Sequence, residues 1–339
     1  MIPEEKKESV GRALRETFGV AEFEDIRKLT GGLTSSLVFR IVVRGSPYVL
    51  RIIMRKDDPA DHFTCMRAAA EAGLAPQVWY TSVEDKISIT DFVAAVPFAR
   101  TDALVRMPAT LRTLHALAPF PGRANHLNTS CRFLLNEGPA LDGFISAFQA
   151  ANILPKGESE ELFTRYQQVA AVYPVHDPDM VSSHNDLLRP ENVLFDGNHV
   201  WLVDWEAAFL NDRYADLAVV ANFVVTDDAE EQVYLQEYFG QPPDPYHLAR
   251  FFLMQQVAHL FYAMGFLLLG SAGKSVNLSE KAPEFKAFHR SIWEGGVNLA
   301  DNDTKIVYGT VHWRQLVQNT RQARFNEALR IVHDRHVTA

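Results

Sequence analysis

The sequence predicts an α+β fold in which an antiparallel, β-rich N-terminal part is followed by a mainly helical C-terminal part. Two observations predict it. Short runs of β-branched and aromatic residues, separated by turn residues, recur between positions 37 and 92. From about residue 101, long stretches with helical periodicity take over. Because 339 residues suffice for two lobes, we divide the chain into an N-terminal lobe, 1–92, and a C-terminal lobe, 93–339.

The N-terminal lobe begins with an amphipathic helix, since Val10, Leu14 and Phe18 recur every four residues before Gly19. A second helix is predicted at 58–72, between two pairs of β-runs. An Arg-Gly-Ser-Pro turn joins the first pair and predicts a hairpin. The four predicted strands are 37–43, 48–54, 77–82 and 87–92.

The C-terminal lobe shows helical periodicity over several long segments. Its predicted helices are 101–117, 137–151, 158–172, 214–240 and 246–270. Two short strands, 192–195 and 200–203, interrupt this pattern, and an Asp-Gly-Asn turn at 196–198 forces them to pair as a hairpin. Asn192 and Asp204 therefore come to the same end of that hairpin.

Charge and cysteine content narrow the possible partners and compartment. The formal charge of −9 argues against the basic surface that binding to nucleic-acid phosphates requires. Cys65 and Cys131 lack a CxxC or metal-site spacing, which indicates a reducing, cytoplasmic compartment. The N-terminus has no apolar segment typical of a secretion signal, and the apolar run 260–270 is too short to span a bilayer. We expect a cytoplasmic protein without a nucleic-acid or membrane partner; the oligomeric state stays open.

Four polar residues lie in or beside the predicted hairpin: His184, Asp186, Asn192 and Asp204. Phosphoryl transfer needs a metal ion that neutralises the polyphosphate, and Mg²⁺ prefers carboxylate and amide oxygens. Asn192 and Asp204 are thus candidate magnesium ligands, and Asp186 is placed to face an acceptor hydroxyl. His184 is interpreted as a structural residue that bonds the backbone, with proton transfer as the alternative.

The segments HNDLLRPENVLF, WLVDWE and NDRYADLA resemble the catalytic core of the choline/ethanolamine kinase and aminoglycoside phosphotransferase family, small-molecule relatives of the protein kinases. Upstream, LTGGLTSSLVFRI is similar to the nucleotide loop of that family, YVLRI to its cation-bearing strand and TDFVAAVPF to its hinge. The similarity covers about residues 29–220. It implies a two-lobed, protein-kinase-like fold with ATP in the cleft between the lobes.

The resemblance also implies a role for each matching residue. Asp186 is the catalytic base. Asn192 and Asp204 hold magnesium, and Arg51 is the cation for the α- and β-phosphates. The remaining nucleotide-contacting positions are Gly31, Gly32, Thr34 and Ser35 in the loop and Asp91, Phe92 and Val93 in the hinge.

Asp216 is expected to brace the catalytic loop from the start of a helix, and Glu206 either touches a metal-bound water or is an exposed loop residue. The family separates its catalytic aspartate and asparagine by four residues, whereas five lie between Asp186 and Asn192. Either the loop bulges and Asn192 stays the ligand, or Glu191 takes its place. We favour Asn192, because a slip of one residue would turn the side chains of the strand to the opposite face.

The expected acidic partner of Arg51 also differs from the family pattern. The helix position that usually carries the acidic partner of the cation falls on His62 or Phe63, so Asp61 is the nearest candidate partner of Arg51.

The sequence does not decide between the two classes of acceptor. An aromatic cage for a quaternary ammonium group would use Tyr262, but Gly265 stands where a second aromatic residue is expected. An aminoglycoside site would need carboxylates such as the acidic run at 227–231, which is also typical of a helix start.

The sequence therefore predicts an ATP- and Mg²⁺-dependent phosphotransferase that acts on the hydroxyl group of a small molecule, either an amino alcohol like choline or ethanolamine or an aminoglycoside. The lobe 1–92 would bind the nucleotide, and the lobe 93–339 would supply catalysis and bind the acceptor. One alternative is a pseudokinase that binds nucleotide without turnover, suggested by the longer catalytic loop and the missing helix carboxylate. Another is a metal-dependent hydrolase that uses His184, Asp186 and Asp204.

Overall fold

The computed structural model describes residues 2–29, 36–122, 141–155, 157, 159–174, 180–188, 190–278 and 282–338. Within these ranges a five-stranded antiparallel sheet and two helices form the N-terminal part of the chain. Nine helices and two small two-stranded sheets form the rest of the described fold. The predicted α+β class, with a sheet first and a mainly helical part after it, is confirmed.

The N-terminal sheet has the strand order β1-β2-β3-β5-β4. The strands are β1 (Asp25–Lys28), β2 (Leu37–Val43), β3 (Ser46–Ile52), β4 (Val78–Ser82) and β5 (Ile87–Asp91). Alternate residues of β2 are buried, as the period of a strand requires, and helix α1 (Lys7–Phe18) covers that face with Val10 and Leu14. Arg44 and Gly45, both at positive φ, form the tight turn between β2 and β3. β1 was not predicted.

Helix α2 (Ala60–Glu71) follows β3 in the chain, yet its apolar face joins the core of the helical part. Phe63, Cys65 and Met66 are buried in that core. The sulfur of Cys65 also lies 3.8 Å from the carbonyl oxygen of Ala208. Helix α2 is therefore packed against the chain segment that follows Asp204, which fixes how the sheet meets the helical part.

The helical part is built around one long central helix, α8. Its helices are α3 (Arg100–His115), α4 (Leu141–Ala151), α5 (Glu160–Val172), α6 (Arg213–Val224), α7 (Asp228–Phe239), α8 (Pro245–Ser271), α9 (Phe285–Trp293), α10 (Asn302–Thr320) and α11 (Ala323–Thr338). The predicted single helix at 214–240 is wrong, because the chain is extended at Val225 and α7 starts anew. The side chain of Asp227 caps α7 by accepting a hydrogen bond from the backbone amide of Glu230.

Helix α8 is long and apolar enough to cross a membrane, as judged by length and composition alone. Of its most apolar stretch, 83% is buried inside the fold, which is typical of the core helix of a globular protein.

Four short strands sit between α5 and α6 and carry the polar motifs. β6 (Met180–Ser183) pairs with β9 (Phe209–Asp212), and β7 (Val193–Phe195) pairs with β8 (Val200–Leu202). The β7–β8 hairpin was predicted; the β6–β9 pair was not. Asp196 closes the hairpin turn by accepting hydrogen bonds from the amides of Asn198 and His199.

Backbone hydrogen bonds attach this hairpin to the N-terminal part. The amide of Leu202 donates to the carbonyl oxygen of Leu74 at 2.8 Å, and the amide of Val96 donates to the carbonyl oxygen of Phe195 at 2.7 Å. The hairpin is thereby fixed beneath the end of the sheet, so that a cleft forms between the two.

Candidate active site

A cleft with a volume of about 280 Å³ lies between the sheet and the β7–β8 hairpin. Its walls are mostly apolar, and one end is polar, as expected of a site for a flat aromatic base with a charged tail. The lining residues used below are Leu29, Val38, Val49, Arg51, His62, Met66, Asp91, Phe92, Val93, Glu191, Leu194, Leu202 and Asp204. The three predicted hinge residues, Asp91, Phe92 and Val93, all line this cleft.

The predicted nucleotide loop lies outside the described residues, so Gly31, Gly32, Thr34 and Ser35 stay predictions. The residues that flank it are described. Leu29 and Val38 both line the cleft, and the amide of Leu29 donates to the carbonyl oxygen of Val38 at 2.9 Å. The two chain ends of the loop therefore meet at the roof of the cleft.

The loop between β6 and β7 brings Asp186 and Asn192 together. Both are buried, and Nδ2 of Asn192 donates to Oδ2 of Asp186 at 3.0 Å and to its carbonyl oxygen at 2.9 Å. The longer loop is accommodated by burying Leu187 and Leu188 and by a single 3₁₀ turn at Pro190–Asn192. Glu191, the alternative ligand, is instead exposed at the edge of the cleft.

Asp216, at the start of α6, holds the backbone before Asp186. Its carboxylate accepts hydrogen bonds from the amides of His184 and Asn185, each at 2.9 Å. His115 Nε2 lies 3.3 Å from the same carboxylate. Burial opposes the charge of Asp216, but the hydrogen bonds from His115 and from the His184 backbone lower its pKa. Asn185 has a left-handed φ of 64°, a conformation that these bonds stabilise.

His184 holds the backbone directly before Asp204. Its Nε2 lies 3.0 Å from the carbonyl oxygen of Val203, and its ring packs on Trp205. The residue is fully buried, and burial lowers the pKa of its imidazole. This geometry fits the interpretation of His184 as a structural residue.

Arg51 and Asp204 meet across the cleft. Arg51 Nη1 donates to Asp204 Oδ1 at 2.7 Å, and both side chains are largely shielded from solvent. Burial opposes the charge of Arg51, yet Asp204 and Glu206 hold the pKa of its guanidinium above the ordinary value. Asp204 itself has a left-handed φ of 71°, which a non-glycine residue adopts rarely.

A second ion pair lies beside the first. Arg55 donates to Oε2 of Glu206, and Glu206 is buried rather than exposed. Burial and the negative charge of Asp204 raise the pKa of Glu206. Sequence reasoning missed Arg55; the only available signal was a basic residue four positions after Arg51.

Asp61 was the nearest candidate partner of Arg51, but the carboxylate that Arg51 contacts is Asp204. The structure describes no ion pair between Arg51 and helix α2. Instead His62 of α2 lines the cleft. Burial and the nearby positive charge of Arg51 lower the pKa of His62 to about 3, so its ring is neutral at pH 7.

The residues considered for the acceptor lie away from the described cleft. Tyr262 is buried in α8, where its ring packs near Phe266 and His312. In the acidic run, Glu230 pairs with Arg100 at 2.8 Å and Glu231 pairs with Arg324. These residues therefore have structural partners within the fold.

Comparison with known families decides the classification. The sequence profile described as the phosphotransferase enzyme family (APH) matches residues 25–252. The chain belongs to this family. A comparison with curated protein sequences finds no match.

Solved structures of choline/ethanolamine kinases and aminoglycoside phosphotransferases share the fold of this phosphotransferase family member. A choline/ethanolamine kinase family protein from Mesorhizobium loti has a TM-score of 0.68 at 20% identity, covering 97% of this chain and 99% of that one. Choline kinase LicA from Streptococcus pneumoniae has a TM-score of 0.55 at 16% identity, covering 86% of this chain and 99% of that one. APH(2")-IIa in complex with streptomycin and ATP has a TM-score of 0.55 at 18% identity, covering 79% of this chain and 91% of that one. The predicted protein-kinase-like fold is confirmed.

Asp204 at the polar end of the phosphotransferase cleft and the neighbouring Asn192 carry oxygen atoms of the kind that magnesium prefers. β7–β8 pairing places Asn192 opposite Val203, with a hydrogen bond of 3.0 Å from the Val203 amide to the Asn192 carbonyl oxygen. Asp204 follows directly. Because Nδ2 of Asn192 is bonded to Asp186, its Oδ1 is the atom that would face a cation. Among the described residues, no three His, Cys, Asp or Glu side chains form a ready metal cluster, so water or phosphate oxygens would complete the shell.

Proposed function

We propose that this phosphotransferase moves the γ-phosphoryl group of ATP, with Mg²⁺, to the hydroxyl group of a small molecule. The observation that carries the proposal is the link between two polar pairs. Arg51 and Asp204 form an ion pair that lines the cleft. Asp186 and Asn192 are hydrogen-bonded to each other, and the Asn192 carbonyl oxygen accepts from the amide of Val203, the residue before Asp204. Structural neighbours crystallised with AMP, ADP and ATP support a nucleotide ligand.

The apolar walls of the cleft suit the adenine ring. Val38 and Val49 of the sheet and Leu194 and Leu202 of the hairpin offer side chains above and below a flat base. The hinge closes the inner end. The α- and β-phosphates would then extend toward Arg51, whose planar guanidinium presents several donors to phosphate oxygens.

Asp186 is the group proposed to act on the acceptor. Asn192 fixes one carboxylate oxygen, and Asp216 fixes the backbone on the N-terminal side, so the orientation of Asp186 is set before the acceptor binds. The acceptor oxygen forms a bond to the γ-phosphorus while the bond to the ADP oxygen breaks. Asp186 takes the hydroxyl proton. When bound to Asn192 and Asp204, Mg²⁺ would neutralise charge on the transferring phosphoryl group.

The acceptor class is proposed as a small alcohol, with amino alcohols and aminoglycosides as the two groups to test. Neighbours include a choline kinase and a spectinomycin phosphotransferase. The contacts of Tyr262 and of Glu230 and Glu231 favour neither class, because all three are engaged within the fold. A cytoplasmic location stays a prediction.

The proposal is tested by ADP release from MgATP with amino alcohols, sugars and aminoglycosides offered in turn, using wild type and Asp186→Asn. We expect one acceptor class to stimulate ADP release in wild type and not in the variant. Both proteins should show Mg²⁺-dependent thermal stabilisation by ADP, because a ligand that binds the native state raises its stability. Stabilisation without turnover for any acceptor would favour the pseudokinase alternative.

A further inference from the structure

Arg51 draws its carboxylate partner from the loop after β8, not from the helix beside it. Arg51 Nη1 lies 2.7 Å from Asp204 Oδ1. The residues that α2 presents to the cleft are Met66 and His62, and the imidazole of His62 is uncharged at neutral pH. Neither Asp61 nor Glu71 of α2 pairs with Arg51 in the described structure. The guanidinium therefore satisfies its charge on a proposed magnesium ligand.

The contact between Arg51 and Asp204 has a consequence for any cation that uses Asp204. The pair is 16% and 8% exposed at its two side chains, so water screens it weakly. A divalent cation that reaches Asp204 has to compete with the guanidinium. A nucleotide relieves this competition, since its phosphates offer Arg51 new acceptors. Cation and nucleotide would each favour the binding of the other, because coupling between two ligands is reciprocal.

We infer that His62 is a positioning residue. Because it faces the cleft from α2 without offering a carboxylate, Arg51 pairs with Asp204 instead, and the binding of a divalent cation comes to depend on nucleotide. The inference rests on the proposed MgATP site and names how that site is controlled. His62 acts through Arg51 and has no role in the chemical step.

The test is the affinity of Mn²⁺, a paramagnetic substitute for Mg²⁺, measured by electron paramagnetic resonance without nucleotide. His62→Glu places a carboxylate on α2 that competes with Asp204 for Arg51. We expect Mn²⁺ to bind this variant roughly tenfold more tightly than wild type, the factor that one charge-assisted hydrogen bond represents. The matched control His62→Gln adds no charge and should bind Mn²⁺ like wild type.

The same substitution in an Arg51→Met protein distinguishes two explanations for tighter Mn²⁺ binding. Either Arg51 leaves Asp204 for the new carboxylate, or the new carboxylate binds Mn²⁺ itself. In Arg51→Met, no guanidinium covers Asp204, so Mn²⁺ should already bind more tightly than in wild type. Adding His62→Glu to Arg51→Met should then give little further gain. An equal gain in both backgrounds would overturn the inference, because the new glutamate would be acting on the ion itself.

The same proteins give a further readout, the affinity for ADP with and without Mn²⁺. In wild type, Mn²⁺ should strengthen ADP binding strongly, and this effect should shrink in His62→Glu. Unchanged Mn²⁺ affinity and unchanged coupling in a folded His62→Glu variant would overturn the inference while leaving the proposed function in place. Wild type that binds neither Mn²⁺ nor ADP would overturn both. If His62→Glu does not fold, as judged by circular dichroism, His62→Asp carries the same comparison.

Discussion

Arg51 of β3 and Asp204 of the loop after β8 form a 2.7 Å ion pair that joins the sheet to the β7–β8 hairpin. The pair unites the residue proposed to bind phosphate with the residue proposed to bind metal. The positive charge of Arg51 and the negative charge of Asp204 therefore offset each other within the protein. Several testable properties of the molecule depend on this arrangement and on the contacts that hold the loops in place.

Replacement of Arg51 by methionine should weaken ATP binding. Loss of a charge-assisted contact to phosphate corresponds to roughly 10–100-fold in affinity. Arg51→Lys keeps the charge but lacks the planar fork, so it should fall between the methionine variant and wild type. Calorimetric titration with ADP in the presence of Mg²⁺ measures both. Methionine and wild-type proteins of equal affinity would show that Arg51 does not contact the phosphates.

Replacement of Asp216 by alanine should lower both stability and turnover. The amides of His184 and Asn185 would lose their acceptor inside the fold, which costs on the order of 3 kcal/mol. Because those amides position the loop that carries Asp186, kcat should fall even where the protein stays folded. Urea unfolding and steady-state kinetics check the two effects. Asp303→Ala, an exposed position on α10, is the matched control and should change neither.

His289 should make stability fall in acid. Burial lowers the pKa of its imidazole to about 3, below the ordinary value of 6.5 in the unfolded chain. Between these values the unfolded state binds the extra proton, so the free energy of unfolding decreases as the pH falls through this window. The ring of His312 lies beside those of His289 and His259. Burial also lowers the pKa values of His259 and His312, so they change stability in the same direction. The nearby positive charge of Lys286 lowers the pKa of His289 further.

The contribution of His289 is measured by urea unfolding of wild type and His289→Gln between pH 6 and pH 5. The variant should show a shallower loss of stability, by about 1.4 kcal/mol per pH unit for one proton. His333→Gln changes an exposed histidine of α11, whose contact with solvent differs little on folding, and serves as the control. Parallel pH profiles for His289→Gln and wild type would contradict the assignment.

Arg250 should be essential for the stability of the helical part. Its buried guanidinium lies 2.7 Å from Asp212 and against the rings of Tyr173 and Tyr214. Arg250→Met would leave the carboxylate of Asp212 without its cation, which costs about 3–5 kcal/mol. In the double variant with Asp212→Asn much of this loss should be recovered, because asparagine is neutral and still caps α6. Thermal unfolding of the three variants decides; equal losses in the single and double variants would contradict a charge effect.

The sequence signals that succeeded were local ones. An Asp-Gly-Asn turn between two β-runs predicted the β7–β8 hairpin, and tight turn chemistry leaves few alternatives. The β6–β9 pair escaped prediction because its strands have four residues each and pair over a long separation, Ser183 lying opposite Phe209, 26 positions further along the chain. The break between α6 and α7 has a local cause, the Asp227 cap, that a continuous helical period concealed.

The sequence predicted which residues belong to the site better than it predicted which of their side chains contact each other. The sequence placed Asp186, Asn192 and Asp204 near one hairpin, and the structure brings the first two into contact. The partner of Arg51 could not be deduced, because it lies 153 residues away and depends on how the sheet docks on the helical part. The burial of Glu206 and its pairing with Arg55 arise from the same docking.

The most direct test of the central claim follows the γ-phosphorus of ATP. Protein, Mg²⁺ and γ-¹⁸O-labelled ATP are incubated with the acceptor that stimulates ADP release, and the products are separated by mass spectrometry. The account predicts that the acceptor gains the labelled phosphoryl group as a monoester in wild type, and that Asp186→Asn forms none. Label found only in inorganic phosphate, or only in intact ATP, would contradict it.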